Sequence, residues 1–270
     1  SSFLSYTGGI HAPGRFSIAD GMLASHHLLR GHGLVVEELR RRDPSLNLGI
    51  TLNLTVAEAA DPATAEDVDA ARRIDGQFNR WFLDPVFRGE YPDDIVADIR
   101  AVDPEAVARF EAAVQPGDLA TIATPIDVLG VNYYHGEFVG GSAPADPPLP
   151  GDAPTDRAVG SPWPAGDGIH WYERGLPRTA MHWEVQPEGL TVLLERVWDE
   201  YAKDAGTALY VTENGAAYDD ERVDEGGEVR VHDADRVAFL RGHLEAILDA
   251  ADAGVDVRGY FYWSLMDNFE

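Results

Sequence analysis

PEGLTVLLERVWDEYAKDAGTALYVTENG, residues 187–215, decides the fold. Pro187 suits the first turn of a helix, where its missing N–H is no loss. Leu190, Leu193, Leu194, Val197 and Tyr201 then recur as one apolar stripe. ALYVT (208–212) reads as a strand made for burial. It runs straight into a carboxylate, Glu213, with Asn214 and Gly215 turning the chain at once. A helix that feeds a buried strand in this way is the unit of an α/β fold.

The same unit repeats on both sides. Residues 17–42 read as a helix, with Ser17 and Asp20 as a capping box and Leu28, Val35 and Leu39 on one face. LNLGITLNLT (46–55) reads as a strand, 64–88 as helical, and PIDVLGVNYY (125–134) as a second strand. Residues 140–168 hold seven prolines and six glycines, which predicts an irregular loop. A helix over 233–252 carries Val237, Leu240, Leu244, Ile247 and Ala251 and stops at Gly254. VRGYFYWSL (257–265) is the last strand. Helix, then strand–helix three times, then strand predicts parallel strands covered by helices. Ligands in such sheets bind at the C-terminal strand ends. Four strands are half of a (β/α)8 barrel.

Composition limits the partners. The 270 residues carry 47 acidic and 21 basic side chains, a net charge of −26, which repels nucleic acid. No stretch approaches 18 uninterrupted apolar residues, so no membrane span is expected. With no cysteine, disulfides and zinc–thiolate sites are excluded, and a reducing, cytoplasmic setting is expected. His26, His27 and His32 are separated by one, five and six positions, which does not give a pair of metal ligands on one helix face. No metal and no cofactor are expected. The nucleotide-binding glycine patterns and the G-x-S-x-G pattern are absent.

Glu213 stands where a barrel strand delivers a group to the mouth. There it could be a nucleophile, a general base, a metal ligand or a plain surface residue. Asn132, Tyr133 and Tyr134 end one neighbouring strand. Trp263 ends another, followed by Asp267, Asn268 and Glu270. Carboxylates and an amide match sugar hydroxyls, and indole and phenol faces stack on the C–H face of a pyranose.

With these segments in view, the chain resembles glycoside hydrolase family 1, the β-glucosidase family. YVTENG (210–215) resembles the family's nucleophile signature. FNRWFLDPVFRGEYP (78–92), LGVNYY (129–134), HWEVQPEGL (182–190) and GYFYWSLMDNFE (259–270) resemble further family segments, in the family's order. The resemblance implies a (β/α)8 barrel that cleaves β-glycosides with retention. It implies Glu213 as nucleophile, Tyr134 as the phenol that orients it, and Asn132 in the sugar pocket. It further implies Trp263 as platform under the sugar, Glu270 gripping its hydroxyls, and Trp183 on the aglycone side. The implied ligand is a β-glucoside or short β-linked oligosaccharide.

Retention needs a second carboxyl group. The family carries it in a T-x-N-E-P motif at the end of strand four, just before a segment like SSFLSYTGGIHAPG (1–14). The reading therefore expects strands five to eight in one partial barrel domain over 1–270, truncated at both ends. The acid/base Glu would lie upstream, in an N-terminal half. ITLNLT (50–55) has Leu54 where a Glu would stand, but it resembles the family's fifth strand and is no altered acid/base site. The rival reading is an inactive half-barrel that binds sugar weakly or assembles with the missing half.

Overall fold

The computed structural model describes residues 2–145 and 161–266. A short helix α1 (Ser2–Tyr6) leads to α2 (Ile18–Arg42), then β1 (Gly49–Asn53) and β2 (Ala57–Ala59). Helix α3 (Ala65–Asp75) runs through a π-helical turn at Gly76–Arg80 into α4 (Trp81–Arg88). Helices α5 (Asp93–Val102), α6 (Pro104–Ala113) and α7 (Asp118–Ile122) follow. Next come β3 (Val128–Asn132), β4 (Glu137–Gly140), β5 (His170–Trp171) and α8 (Pro187–Val197), then α9 (Lys203–Ala205) and β6 (Ala208–Asn214). The chain continues through β7 (Arg222–Glu225), β8 (Glu228–Val231), α10 (Ala234–Asp252) and β9 (Val257–Tyr262).

Strands β1, β3, β6 and β9 form one parallel sheet in that order. Side chains alternate across it. Leu52, Leu129, Val131, Leu209 and Val211 are buried against Leu190, Leu193, Leu194 and Val197 of α8 and Ala246, Ile247 and Ala250 of α10. Thr51, Asn53, Asn132, Tyr210 and Thr212 lie at the alternate positions, and all are partly or fully exposed. One face is therefore a packed core, and the other is polar and open. This is half of a (β/α)8 barrel, as expected.

The helix in the middle and the helices at the flanks differ. All five stripe residues of the α8 segment, Leu190 to Tyr201, are buried. The stripe expected on α2 does not face the core: Leu28 is 65% and Val35 55% exposed. The buried face of α2 is Met22, Ser25, His26, Leu29, Gly33 and Val36. On α10, Phe239, His243, Ala246, Ile247 and Ala250 are buried, while Val237 is 55% and Leu248 62% exposed. A flank helix of an open sheet has a neighbour on one side only. The apolar stripe on its other side therefore stays uncovered, beside the edges of β1 and β9, which pair with no further strand among the described residues.

The capping box is half formed. Ser17 Oγ accepts the Asp20 N–H at 3.1 Å. The Ser17 N–H donates to the Tyr6 carbonyl instead of to Asp20, whose carboxylate pairs with Arg15. The structure also adds elements that hydrophobic periodicity does not announce. Helices α5 to α7 are each ten residues or shorter. The β7–β8 hairpin turns on Gly226 and Gly227, both at positive φ, as a two-residue hairpin turn requires.

Two histidines are sealed in the helical layer. His26 meets Tyr91 and Asp118, and His243 Nδ1 donates to the Phe239 carbonyl. Burial pushes both pKa values down, against the opposing pull of Asp118 on His26. A histidine whose folded pKa lies below its unfolded value, about 6.5, stabilises the fold above that pH. Stability is then lost as pH falls below about 6.5, by roughly 1.4 kcal/mol per pH unit for each site while only the unfolded chain is protonated. The thermal midpoint should fall by about 3–6 °C per histidine per pH unit below that value. His243→Leu should flatten the slope; an unchanged slope in that variant contradicts the assignment.

Candidate active site

Glu213 faces the mouth because β6 is irregular at that point. Leu209 and Val211 point to the helices, so strict alternation would put Thr212 on the open face and turn Glu213 back toward the helices. The pairing shifts there on both sides. Asn132 of β3 pairs with Glu213 and skips Thr212, and the pairing with β9 jumps from Val211–Tyr260 to Asn214–Tyr262. One extra residue in β6 makes a β-bulge, a device that re-aims a side chain. Thr212 and Glu213 then both reach side chains of β3 and its extension. Thr212 Oγ1 donates to Asn132 Oδ1 at 2.7 Å. The Tyr134 phenol donates to Glu213 Oε2 at 2.8 Å.

The backbone beyond the bulge is held from two strands. Tyr133 N–H donates to the Glu213 carbonyl at 3.0 Å, and Trp263 N–H donates to the Asn214 carbonyl at 2.9 Å. Asn214 is fully buried. Its Nδ2 donates to the Tyr133 carbonyl at 2.8 Å, and its Oδ1 accepts from the Tyr260 phenol at 3.0 Å. Burial raises the pKa of both Tyr133 and Tyr260, so each phenol keeps its proton. Gly215 lies against the Trp263 carbonyl; a Cβ there would sit 1.8 Å from that oxygen.

Trp183 reaches the mouth from a loop. Its ring lies 5.6 Å from that of Tyr134 and 4.9 Å from that of His135, tilted 33° to the latter. Thr179 Oγ1 accepts the N–H groups of Met181 and Trp183, and His182 between them has a left-handed φ of 62°. The buried Glu184 carboxylate accepts the N–H groups of Arg174, Gly175 and Leu176, which pins the loop. Trp263 is 39% exposed at the end of β9.

Of the six site residues expected from the sequence, Glu213, Tyr134, Asn132 and Trp183 therefore meet at one place, and the Trp263 backbone joins the end of the same strand. Glu270 lies outside the described residues, as do Asp267 and Asn268. The sequence reading gave no role to Thr212, Asn214, Tyr260 or His135. Asn214 stands inside the signature that marks Glu213, but its contacts depend on a bulge that no local pattern announces. Among the described residues, no cluster of three His, Asp or Glu side chains could hold a metal ion, and no helix is long and apolar enough to cross a membrane. Clefts of about 430 and 400 Å3 lie elsewhere, one lined by Glu195, Trp198 and Lys203, the other by Glu66, Arg73 and Gly168.

The chain is a member of glycosyl hydrolase family 1, whose profile it matches over residues 1–270. It is 40% identical over 272 residues to a bifunctional β-D-glucosidase/β-D-fucosidase of Bifidobacterium breve, covering 100% of this chain and 54% of that protein. It is 38% identical to a 1,4-β-D-glucan glucohydrolase of Thermotoga neapolitana, covering 97% of this chain and 54% of the other. The crystal structure of a psychrophilic β-glucosidase from Micrococcus antarcticus superposes with a TM-score of 0.90 at 45% identity, covering 100% of this chain and 55% of that one. The chain thus spans about half the length of the relatives it matches.

Proposed function

We propose that residues 1–270 are one partial barrel domain, the strand-five-to-eight half of a retaining β-glycosidase that hydrolyses terminal β-linked glucose. The observation that carries this reading is the 2.8 Å hydrogen bond from Tyr134 to Glu213 on a bulge that turns the carboxylate to the mouth. A Glu213 oxygen attacks the anomeric carbon as the bond from that carbon to the leaving oxygen breaks. A second carboxyl group, roughly 5–5.5 Å away, protonates that oxygen and then takes a proton from the water that releases the sugar. That acid/base Glu belongs to the complementary half of the barrel. Tyr134 orients Glu213, Asn132 meets a sugar hydroxyl, Trp263 lies under the ring, and Trp183 faces the aglycone. Glu270 grips hydroxyls on the far side.

The names of the relatives support a β-glucoside or short β-linked glucan as substrate, with fucosides as a second glycone. A Thermotoga maritima relative has been crystallised with deoxynojirimycin. The reading sets the enzyme in the cytoplasm, with which a cysteine-free sequence is compatible.

The partner follows from the flanks. Two uncovered apolar stripes beside two unpaired strand edges fit a four-strand β/α half that closes the ring at both edges at once. Leu28, Val35, Val237 and Leu248 are 55–65% exposed, so covering them stabilises such a union by about 1–2 kcal/mol per side chain. The test is co-expression with the first four β/α units of a family relative, followed by turnover of an aryl β-glucoside. The two halves should co-purify one to one and turn over substrate, and Leu248→Glu with Val35→Glu should abolish both. Self-association of this chain alone, unaffected by the added half, would contradict this partner; co-purification of the two halves without turnover would favour the rival reading of an inactive half-barrel.

A further inference from the structure

We infer that Asn214 is a positioning residue that fixes the bulge and thereby the aim of Glu213; this rests on the reading of Glu213 as nucleophile. A bulge breaks the ladder that would otherwise set the strand, so something else must hold the extra residue. At this bulge both neighbouring strands converge on one side chain. The Asn214 amide spans from the Tyr133 carbonyl at 2.8 Å to the Tyr260 phenol at 3.0 Å. Tyr133 lies between the two β3-side residues that engage the bulge, Asn132 and Tyr134. Tyr260 pairs in register with Val211, just before the bulge, and its phenol reaches the residue just after it. The strap thus brackets Thr212 and Glu213 from behind, on the side away from the mouth.

The chemistry of the amide suits this task and that of a carboxylate does not. A carbonyl oxygen on one side needs a donor, and a phenol on the other needs an acceptor. A primary amide offers both in one plane. Asn214 is fully buried, so neither bond can be replaced by bulk water, and a buried donor or acceptor left unpaired is costly. Asn214→Asp keeps the shape and the acceptor toward Tyr260 but sets an oxygen against the Tyr133 carbonyl. Tyr260→Phe removes one arm and leaves the other.

A purely structural role and a positioning role separate in two measurements. The first uses the chain itself with 13Cζ-labelled tyrosine, because the Tyr134 phenol carbon reports its bond to Glu213. Glu213→Gln should displace that resonance. Asn214→Ala should displace it too, and the double variant should add nothing further, since both changes act on one contact. The second uses the chain assembled with its complementary half. There Asn214→Asp should lower kcat per folded molecule by about 10²-fold, the scale of a misplacement of about 1 Å, with KM moved by less than about threefold. Tyr260→Phe, the milder change and the safer folder, should fall between wild type and Asn214→Asp in kcat while keeping its KM.

An unmoved Tyr134 resonance in Asn214→Ala, or displacements that simply add in the double variant, overturns the proposal. So does an unchanged kcat per folded molecule in both variants. If the assembled wild-type protein shows no turnover, the glycosidase reading fails; the resonance experiment still decides the strap.

Discussion

Replacing Glu213 by Gly in the assembled protein is expected to lower turnover of an aryl β-glucoside by about 10⁶-fold, the scale of losing a nucleophile. Sodium azide should restore much of it. A glycine leaves a space where the carboxylate stood, and azide can attack the anomeric carbon from that same face. The new nitrogen–carbon bond forms as the aryl oxygen departs, and the product is the glycosyl azide of inverted configuration. No second step follows, because no carboxylate remains to be displaced. Loss of activity without azide rescue would be the mark of a structural defect. Tyr134 should remain an intact neighbour in this variant, with its phenol freed from Glu213 Oε2.

The largest effect on the fold is expected two residues further on. A Cβ at Gly215 would sit 1.8 Å from the Trp263 carbonyl oxygen and 2.8 Å from its carbon, and both are backbone atoms. Gly215→Ala must therefore part the ends of β6 and β9. It should lower stability by about 3 kcal/mol or more, or about 10 °C in thermal midpoint, and move Trp263 with it. Gly31 is the matched control. It lies inside α2 with nothing within 4 Å of where its Cβ would stand. Gly31→Ala should instead stabilise by about 0.5–1 kcal/mol through helix propensity. Thermal melts of the two variants should move in opposite directions; a neutral Gly215→Ala would contradict the close approach of the two strands.

What could be read from the residues follows the range of the interactions involved. The α8 stripe was legible because α8 has covered neighbours on both sides, so its apolar periodicity and its burial coincide. The α2 and α10 stripes had the same periodicity, yet Leu28 and Val35 on the first and Val237 and Leu244 on the second lie open, while Ile247 is buried. Periodicity reports an apolar face, and only the position of a helix in the ring says whether that face has found its cover. The glycines of the β7–β8 turn were a usable local signal, whereas α5 to α7 are too short to show a firm period.

At the site, Glu213, Tyr134, Asn132, Trp183 and Trp263 were recognisable as segments resembling a family. Residue type and order carried that recognition, and the structure supplied their convergence. The bulge was invisible, since strand register depends on partners up to some 80 residues away, as in the pairing of Asn132 with Glu213. Strict alternation applied to ALYVTEN would have turned the carboxylate into the helical layer. The shift in pairing on both sides of β6 is what resolves it, and Asn214 is the side chain placed to hold that shift.

The central claim is that Glu213 attacks the sugar. Its most direct test is to expose the assembled protein to 2-deoxy-2-fluoro-β-glucosyl fluoride and weigh this chain intact. The substrate expels fluoride without needing an acid, a carboxylate oxygen bonds to the anomeric carbon, and the fluorine at C2 slows release. The account predicts that the chain gains one fluoroglucosyl group, mapped by peptide digestion to Glu213 and absent from Glu213→Gln. A label on any other residue, or turnover of substrate with no label on this chain, would contradict it.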